Sequence, residues 1–300
     1  MAFSKIGIIG TGTMGTGVAQ ACATAGKSVI IVKATPGPVD KARDGLATTL
    51  AKAVERGKAD AETRDFILGN ITFVPVDEIG QVADCDLVIE SIIEKLEPKQ
   101  ALFKQLEEIC KPEALLTTNT SALPVTSMMA ACEKRDRVAG LHFFNPAPVM
   151  RLVEVVHAFE TSEDTIRELM AFCREIDKEP VLVQDSTGFI VNRLLCPFIM
   201  NAIRMLERGV GTVDSIDQAM VLGAGHPMGP LALADYIGLD VVQALAQNIY
   251  DDVRSEHHAP AHTLVRLVQL GYLGRKTGKG FYDYSVRPPV PNKGLTHPVI

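Results

Sequence analysis

The sequence predicts an α/β fold, in which an N-terminal Rossmann-type, doubly wound, mostly parallel sheet is followed by a smaller all-helical C-terminal domain. Short apolar runs alternate with helix-like segments over the first two-thirds of the chain. A glycine-rich turn joins the first apolar run to the first of these segments. After "DSTGF" at 185–189 the β-branched alternation stops, and glycine-broken helical periodicity continues from residue 190 to about residue 270.

The predicted elements follow one another in a regular order. Strands are predicted at 5–10, 28–32, 85–91, 113–119, 137–144, 151–156 and 179–184, and helices between the early strands at 14–25, 38–56, 61–68 and 95–110. The stretch "RVAGLHFFNPAPVMRLVEVV" places two strands on either side of a Pro/Asn loop, which predicts a hairpin that extends the sheet. We expect a dinucleotide-binding domain over 1–185, a helical domain over 186–284, and a tail over 285–300. The proline-rich tail has few core-forming residues and is expected to be flexible or to pack on a neighbour.

Composition favours a globular protein without nucleic acid or membrane partners. The 300 residues are 47% hydrophobic and 22% charged, with a formal net charge of −6, so the chain has no general attraction to polyanions. The six cysteines form no CxxC pair, which favours buried, reduced thiols in a cytoplasmic protein over disulfides or a metal site. The first strand begins within five residues, so we expect no signal peptide, and no apolar run approaches the roughly 18 residues of a membrane span.

The stretch "GIIGTGTMGTG" predicts a dinucleotide site, because its GxGxxG pattern follows a buried strand and opens an amphipathic helix. Gly10 permits the tight turn, Gly12 lets the backbone approach a pyrophosphate, and Gly15 lets the helix pack close to the strand. Thr13 and Met14 begin the helix, whose N–H groups and dipole attract an anion. A purely structural turn is the alternative. NAD(P) is favoured over FAD because the second domain is too small and too helical for a typical flavin enzyme.

The predicted hairpin carries a candidate catalytic pair, His142 and Glu154. If the hairpin folds about Pro148, these two residues fall opposite each other, within cross-strand reach. A carboxylate beside a histidine fixes its tautomer and makes it a better base. A dehydrogenase needs such a base for the hydroxyl proton as hydride leaves for the nicotinamide. A structural histidine paired with a strand glutamate is the alternative.

Two further polar residues are candidates for binding a substrate oxygen. Ser121 follows a strand at the carboxyl edge of the sheet, where ligands bind in open α/β folds. Its alternative role is that of a helix N-cap before Leu123. Asn192 enters an apolar helix just after the predicted domain boundary, and its alternative role is a cap-like contact with the preceding turn.

Six motifs together resemble one family. The motifs "IGIIGTGTMGTGVAQ", "NTSAL", "GLHFFNPAPVMRLVEVV", "STGFIVNRLL", "GAGHPMGPLALADYIGLD" and "GYLGRKTGKGFYDY" occur in order between about residues 4 and 284. In sequence and spacing they closely resemble the short-chain L-3-hydroxyacyl-CoA dehydrogenases, and most of all the bacterial (S)-3-hydroxybutyryl-CoA dehydrogenases. The resemblance implies an oxidoreductase that interconverts (S)-3-hydroxybutyryl-CoA and acetoacetyl-CoA with a nicotinamide cofactor. It also implies a homodimer formed through the helical domain.

The resemblance assigns roles to individual residues. His142 matches the catalytic base, Glu154 its partner, and Ser121 and Asn192 the pair that positions the substrate. The positions matching cofactor contacts include Glu94, Lys99, Ser121, Asn145 and Lys276, and those matching contacts to the CoA phosphates are Thr49, Lys52 and Arg56. Lys52 and Arg56 lie four residues apart and form a local cationic patch on one helix face; an ordinary solvated face is the alternative.

Two residues depart from the family pattern. Ala122 stands where relatives often have a second serine, which we expect to matter little. Lys33 stands where relatives usually have an acid that accepts hydrogen bonds from the adenosine ribose and repels a 2′-phosphate. Because the acid is missing and a cation is added, near the Thr35 hydroxyl, NAD(H) and NADP(H) both remain open as cofactors.

Two other functions remain open at this stage. A relative that retains the dinucleotide site as a structural or ligand-binding protein would be marked by loss of His142 or Glu154, and both are present. A dehydrogenase for a hydroxy acid without CoA is disfavoured by Lys52 and Arg56.

Overall fold

The structure is a computed structural model that describes residues 3–295. The chain divides into two compact units, with the border between Phe189 and Ile190. The N-terminal unit contains an eight-stranded sheet in the order β3-β2-β1-β4-β5-β6-β7-β8. Its strands are β1 Lys5–Ile9, β2 Ser28–Val32, β3 Ile71–Val74, β4 Leu87–Glu90, β5 Leu115–Thr118, β6 Val138–Phe143, β7 Leu152–His157 and β8 Glu179–Gln184. Its helices are α1 Thr13–Thr24, α2 Asp40–Glu55, α3 Ala61–Gly69, α4 Leu96–Ile109, α5 Val125–Met129 and α6 Glu163–Glu175.

The sheet confirms the predicted Rossmann-type architecture. From β3 across the sheet to β6, each adjacent pair of strands is parallel, in the order typical of dinucleotide-binding folds. The hairpin of β6 and β7 is antiparallel, and β8 is parallel to β7. The predicted hairpin therefore extends the sheet, as expected.

The apolar strands are buried on both faces, which explains their uninterrupted hydrophobic runs. In β1, Ile6 and Ile8 pack into a core beside α1, α2, α3 and α6, while Ile9 packs into a second core beside α4 and α5. In β2, Val29 and Ile31 face the first of these cores. This alternation follows from the two-residue period of a strand.

Three elements of the N-terminal unit were absent from the sequence prediction: β3, the five-residue helix α5, and α6. The strand "ITFV" is short and lies at the edge of the sheet, so its apolar signal is weak. Helix α6 could have been predicted from its N-cap, since the Ser162 hydroxyl accepts a hydrogen bond from Thr165 N. Its buried face, with Ile166, Leu169 and Phe172, has helical spacing.

The C-terminal unit is helical, as predicted. Its helices are α7 Val191–Glu207, α8 Val213–Ala224, α9 Pro230–Ile237, α10 Leu239–Val253 and α11 His262–Gln269, followed by the short strands β9 Tyr282–Asp283 and β10 Val290–Pro291. Within residues 3–295, no helix is long and apolar enough to span a membrane.

The segment from residue 285 has a defined structure in its described part. Strand β10 pairs with β9, and the Asn292 side chain, which is buried, donates to Gly280 O at 2.8 Å. Leu295 packs against the core of the helical unit. The tail residues 296–300 lie outside the described residues, and the flexibility expected of 285–300 stays a prediction.

Two buried aspartates organise the motifs "HPMGPL" and "KTGKGFYDY". Asp217 accepts hydrogen bonds from Leu231 N at 2.8 Å and from Ala232 N at 2.9 Å. Asp235 accepts from Phe281 N and Tyr282 N, each at 2.9 Å. These motifs are therefore explained by chain folding within the helical unit.

Burial raises the pKa of Asp235 to about 6, although the backbone donors and the Tyr284 hydroxyl favour the charged form. The folded state thus binds this proton more tightly than the unfolded chain, where the carboxyl titrates near 3.8. Its contribution to the free energy of unfolding is complete below about pH 4 and is lost as the pH rises through about 6.

We expect the wild type to lose up to about 3 kcal/mol of unfolding free energy relative to Asp235→Asn between pH 4 and pH 7. All five tyrosines lie in the helical unit, so tyrosine fluorescence during urea denaturation reports on that unit. A difference between the two proteins that stays constant with pH would contradict the assignment.

Candidate active site

The glycine turn after β1 has the close contacts that the motif predicts. Gly10 has a φ of +126°, and a Cβ there would lie 2.3 Å from Ser91 O. A Cβ at Gly15 would lie 1.9 Å from Gly10 O. Gly12 is different, because a Cβ there would meet nothing within 4 Å. Gly12 is the N-cap residue of α1, whose first turn contains no acid, so the start of this helix is suited to an anion such as a pyrophosphate.

A cavity of about 480 Å³ opens beside this turn. It brings together several residues predicted from the sequence: Gly12 and Thr13 of the turn, Lys33 after β2, Thr49 of α2 and Asn145 of the hairpin loop. Lys41 of α2 also lines it and was not predicted. Lys52 and Arg56 lie further along the chain, are exposed, and are not part of the cavity lining.

The predicted pairing of His142 with Glu154 is confirmed as geometry. The two residues are direct partners in the antiparallel register of β6 and β7. Nδ1 of His142 lies 2.7 Å from Oε2 of Glu154, and the residues are 3% and 1% exposed. Glu154 therefore engages one ring nitrogen of His142, Nδ1, and the other, Nε2, is not part of this contact.

Aromatic side chains hold the imidazole in place. The ring of Phe144 lies 4.5 Å from that of His142, and the ring of Phe189 lies 5.4 Å from it, both tilted by 52°. Together with Glu154, they restrict the ring to one orientation and exclude water from its sides. A histidine with a fixed tautomer in a dry site is suited to general acid–base chemistry.

The turn after β5 is held by Glu94. Its Oε1 accepts hydrogen bonds from Thr120 Oγ1 at 2.5 Å, Ser121 N at 3.0 Å and Ala122 N at 3.2 Å. The next helix, α5, begins at Val125 and has Pro124 at its N-cap position. The alternative role of Ser121 as a helix N-cap is therefore wrong.

Lys99 is more deeply placed than a direct ligand contact would suggest. It is 1% exposed, and its Nζ donates to Glu90 Oε1 at 2.6 Å and lies 3.3 Å from Glu94 Oε2. Glu90 also accepts hydrogen bonds from Ile92 N and from the Thr118 hydroxyl. This buried network ties β4, β5 and α4 together beneath the Ser121 turn.

Sequence analysis missed Glu90 and Lys178. Glu90 had a signal, since an acid ending the buried run "LVIE" requires a partner. Lys178 is buried, and its Nζ donates to Ala147 O at 2.8 Å and to Met150 O at 2.9 Å. Burial lowers its pKa. It fixes the hairpin loop that carries Asn145, and nothing local in the sequence indicated this.

The remaining predicted residues belong to the helical unit. Asn192 is the second residue of α7. Lys276 forms an ion pair with Asp240, with Nζ 2.5 Å and 2.7 Å from the two carboxylate oxygens. Among residues 3–295, no cluster of three or more His, Cys, Asp or Glu could hold a metal ion.

The glycine turn follows β1, and the contact of His142 with Glu154 joins β6 and β7 of the same sheet, an arrangement typical of a nicotinamide-dependent dehydrogenase. Comparison with known families gives the particular family. The model of the 3-hydroxyacyl-CoA dehydrogenase NAD binding domain matches residues 5–186, and that of the C-terminal domain matches residues 188–284. The chain belongs to the 3-hydroxyacyl-CoA dehydrogenase family.

Individual relatives are similar along nearly their whole length. The 3-hydroxybutyryl-CoA dehydrogenase of Bradyrhizobium diazoefficiens is 40% identical over 292 residues, which cover 96% of this chain and 98% of that protein. The human mitochondrial hydroxyacyl-coenzyme A dehydrogenase is 41% identical, with 92% and 90% covered. The crystal structure of (S)-3-hydroxybutyryl-CoA dehydrogenase from Ralstonia eutropha superposes with a TM-score of 0.89 at 37% identity, covering 95% of this chain and 100% of that one.

Removing one partner of the buried Glu90–Lys99 pair should be costly. We expect Lys99→Met to lower the free energy of unfolding by about 3–5 kcal/mol, because it leaves a buried carboxylate without its cation. The double variant Glu90→Gln/Lys99→Met should recover at least about half of this loss. Urea denaturation followed by circular dichroism measures both. A double variant no more stable than Lys99→Met would show that Glu90 is not the group left uncompensated.

Proposed function

We propose that this protein interconverts (S)-3-hydroxybutyryl-CoA and acetoacetyl-CoA, with His142 as general base and acid. The observation that carries the proposal is the buried contact from Nδ1 of His142 to Glu154, which leaves Nε2 as the basic atom. The relatives support the substrate, because two proteins similar over nearly their full length are named for this reaction.

The chain's own residues account for the proton. When bound, the nicotinamide cofactor supplies hydride acceptance and donation. Nε2 of His142 takes the proton of the C3 hydroxyl during oxidation and returns it to the C3 oxygen during reduction. Glu154 stabilises the imidazolium that exists between these events. We propose that Ser121 and Asn192 orient the reacting oxygen, as they do in the family pattern.

The cofactor is proposed to bind along the glycine turn. The backbone N–H groups of Thr13, Met14 and Gly15 at the start of α1 would hold the pyrophosphate, with Gly10 and Gly12 giving access. The remaining proposed contacts are Lys33, Glu94, Lys99, Ser121, Asn145 and Lys276. Lys99 is buried on Glu90 and Glu94, so its proposed effect passes through the Glu94 carboxylate.

The CoA moiety is proposed to lie along α2. Thr49 lines the cavity beside the glycine turn, and Lys52 and Arg56 add exposed cations beyond it. Phosphate groups are bound well by such cations. This patch supports a CoA thioester over a free hydroxy acid, which has no phosphate to engage it.

We also propose a homodimer formed through the helical unit, located in the cytoplasm. Exposed apolar side chains on three of its helices support the dimer: Leu194 of α7, Leu222 of α8 and Val241 of α10 are 70%, 82% and 50% exposed. All six cysteines are free and buried, as expected in a reducing compartment.

The base assignment is tested by His142→Ala. We expect kcat for acetoacetyl-CoA reduction to fall by about 10²–10⁴-fold, while cofactor affinity stays within about twofold, because only proton transfer is removed. Glu154→Gln should lower kcat by at least about tenfold and move the pH–rate profile of reduction to lower pH, since the imidazolium loses its anionic partner. His157→Ala, at the far end of β7, is the matched control. Near-normal turnover by His142→Ala would refute the assignment.

The CoA assignment is tested by replacing Lys52 and Arg56 together with alanine. We expect the KM for acetoacetyl-CoA to rise by about tenfold, since two charge-assisted contacts are lost. The kinetics with S-acetoacetyl-N-acetylcysteamine, which lacks the nucleotide, should be unchanged. Lys104→Ala, on the exposed face of α4, is the control. An equal change with both substrates would argue against contacts to the CoA phosphates.

A further inference from the structure

We propose that the cavity beside the glycine turn is built for the 2′-phosphate of NADP(H), and that Lys33 is the residue that selects this cofactor. The inference rests on the proposed dehydrogenase function and concerns which of the two nicotinamide cofactors that function uses. It is carried by the position of Lys33, the way its ammonium group is held, and the charges that line the cavity.

Lys33 lies at the point where a dinucleotide fold reads the adenosine ribose. It is the first residue after β2, and its N–H donates to Val74 O at 2.9 Å. The preceding residue, Val32, accepts a hydrogen bond from Gly10 N at 2.8 Å. The side chain at position 33 therefore begins directly beside the glycine turn. In NAD-binding folds an acid in this region accepts hydrogen bonds from the ribose hydroxyls, and a basic residue instead accommodates a 2′-phosphate.

The ammonium group of Lys33 is anchored at the cavity wall rather than left in solvent. Its Nζ donates to Pro36 O at 2.6 Å and to Thr35 O at 3.1 Å. The loop closes around it, since Gly37 has a φ of +109° and a Cβ there would lie 3.3 Å from Nζ. An ammonium has three donors, so two bonds to the loop leave one for a ligand. The Thr35 carbonyl accepts this hydrogen bond, and the suggested role of the Thr35 hydroxyl beside Lys33 stays a prediction.

The charges around the cavity favour a dianion. Its described lining contains two lysines, Lys33 and Lys41, and no carboxylate. The neighbouring acid, Asp40, is exposed and paired with Arg43, with a guanidinium nitrogen 2.5 Å from its carboxylate. A ribose 2′-hydroxyl is uncharged and cannot compensate two ammonium groups, whereas a 2′-phosphate carries up to two negative charges. The cavity therefore lacks the feature that selects NAD and has the feature that selects NADP.

Lys41 lies on the same helix as Thr49, a proposed contact to CoA. The phosphates of CoA are therefore a second candidate ligand for the Lys41 ammonium group. The two explanations are separated by ligands that contain no CoA. For that reason the test measures nucleotide binding in the absence of substrate, and it is centred on Lys33, which adjoins the glycine turn.

The experiment is equilibrium titration of the full-length wild type and its variants with NADPH and with NADH. The chain has no tryptophan, so the emission of the reduced nicotinamide itself is followed. We expect the Kd of the wild type for NADPH to be at least about tenfold lower than that for NADH, because one charge-assisted hydrogen bond contributes that much affinity. Calorimetry with 2′,5′-ADP and 5′-AMP should give the same preference, because these ligands occupy only the adenosine end.

Two substitutions at position 33 separate the cation from the acid. Lys33→Met should weaken NADPH binding about tenfold and leave NADH binding within about twofold. Lys33→Asp should also strengthen NADH binding and so invert the preference, because the new acid repels the phosphate and accepts the ribose hydroxyls. Lys104→Asp makes the same charge change on α4, outside the cavity lining, and should leave the ratio of the two affinities unchanged.

The outcomes distinguish this inference from the proposed function. A wild type that prefers NADH, or a ratio unchanged by Lys33→Asp, overturns the inference. If that same protein still reduces acetoacetyl-CoA with NADH, the proposed dehydrogenase function stands without it. Failure to bind either nucleotide overturns both.

Discussion

The whole site depends on one backbone constraint: the hydrogen-bond ladder of the parallel sheet continues past the ends of its strands. Gly10 N donates to Val32 O, Ser91 N to Ile9 O, and Asn119 N to Glu90 O, each at 2.8 Å. The Asn119 side chain extends the ladder once more by accepting from Phe143 N at 2.8 Å. Consecutive strand ends are therefore locked in register, and the residues that follow them are brought to one edge. The glycine turn and the histidine strand are positioned by the same set of bonds.

Buried charge makes this edge rigid. The pair of Lys99 with Glu90 costs desolvation energy that an apolar pair would not, yet it fixes the carboxylate that holds the backbone of Ser121. Lys178 has the same effect on the hairpin loop through backbone carbonyls alone. In both places a buried ammonium group donates hydrogen bonds to oxygen atoms that would otherwise lack this partner. Lys99 and Lys178 thereby fix the backbone around Ser121 and the hairpin loop that carries Asn145.

How much of this was predictable depends on the range of the interactions. The pairing of His142 with Glu154 could be predicted because it depends only on where the hairpin turns. With the turn centred on Pro148, two residues that are twelve apart fall opposite each other on adjacent strands. The glycine turn was equally local. The burial of Lys99 could not be predicted in this way. It depends on how α4 packs against β4, which the hydrophobic periodicity of the sequence does not specify. For Ser121 the sequence left a helix N-cap open as the alternative to substrate binding, and the structure removes that alternative because α5 has Pro124 at its N-cap position.

The proposed cofactor end and the proposed catalytic end of the site differ in how tightly the fold constrains them. His142 is enclosed by two aromatic rings and a buried carboxylate, so a change there would leave a cavity or an uncompensated charge. The ammonium group of Lys33 is held by carbonyl groups of its own loop. An acid or a base at position 33 would leave the sheet, the glycine turn and the histidine unaltered. The residue proposed to select the nucleotide can therefore change without disturbing the contact between His142 and Glu154.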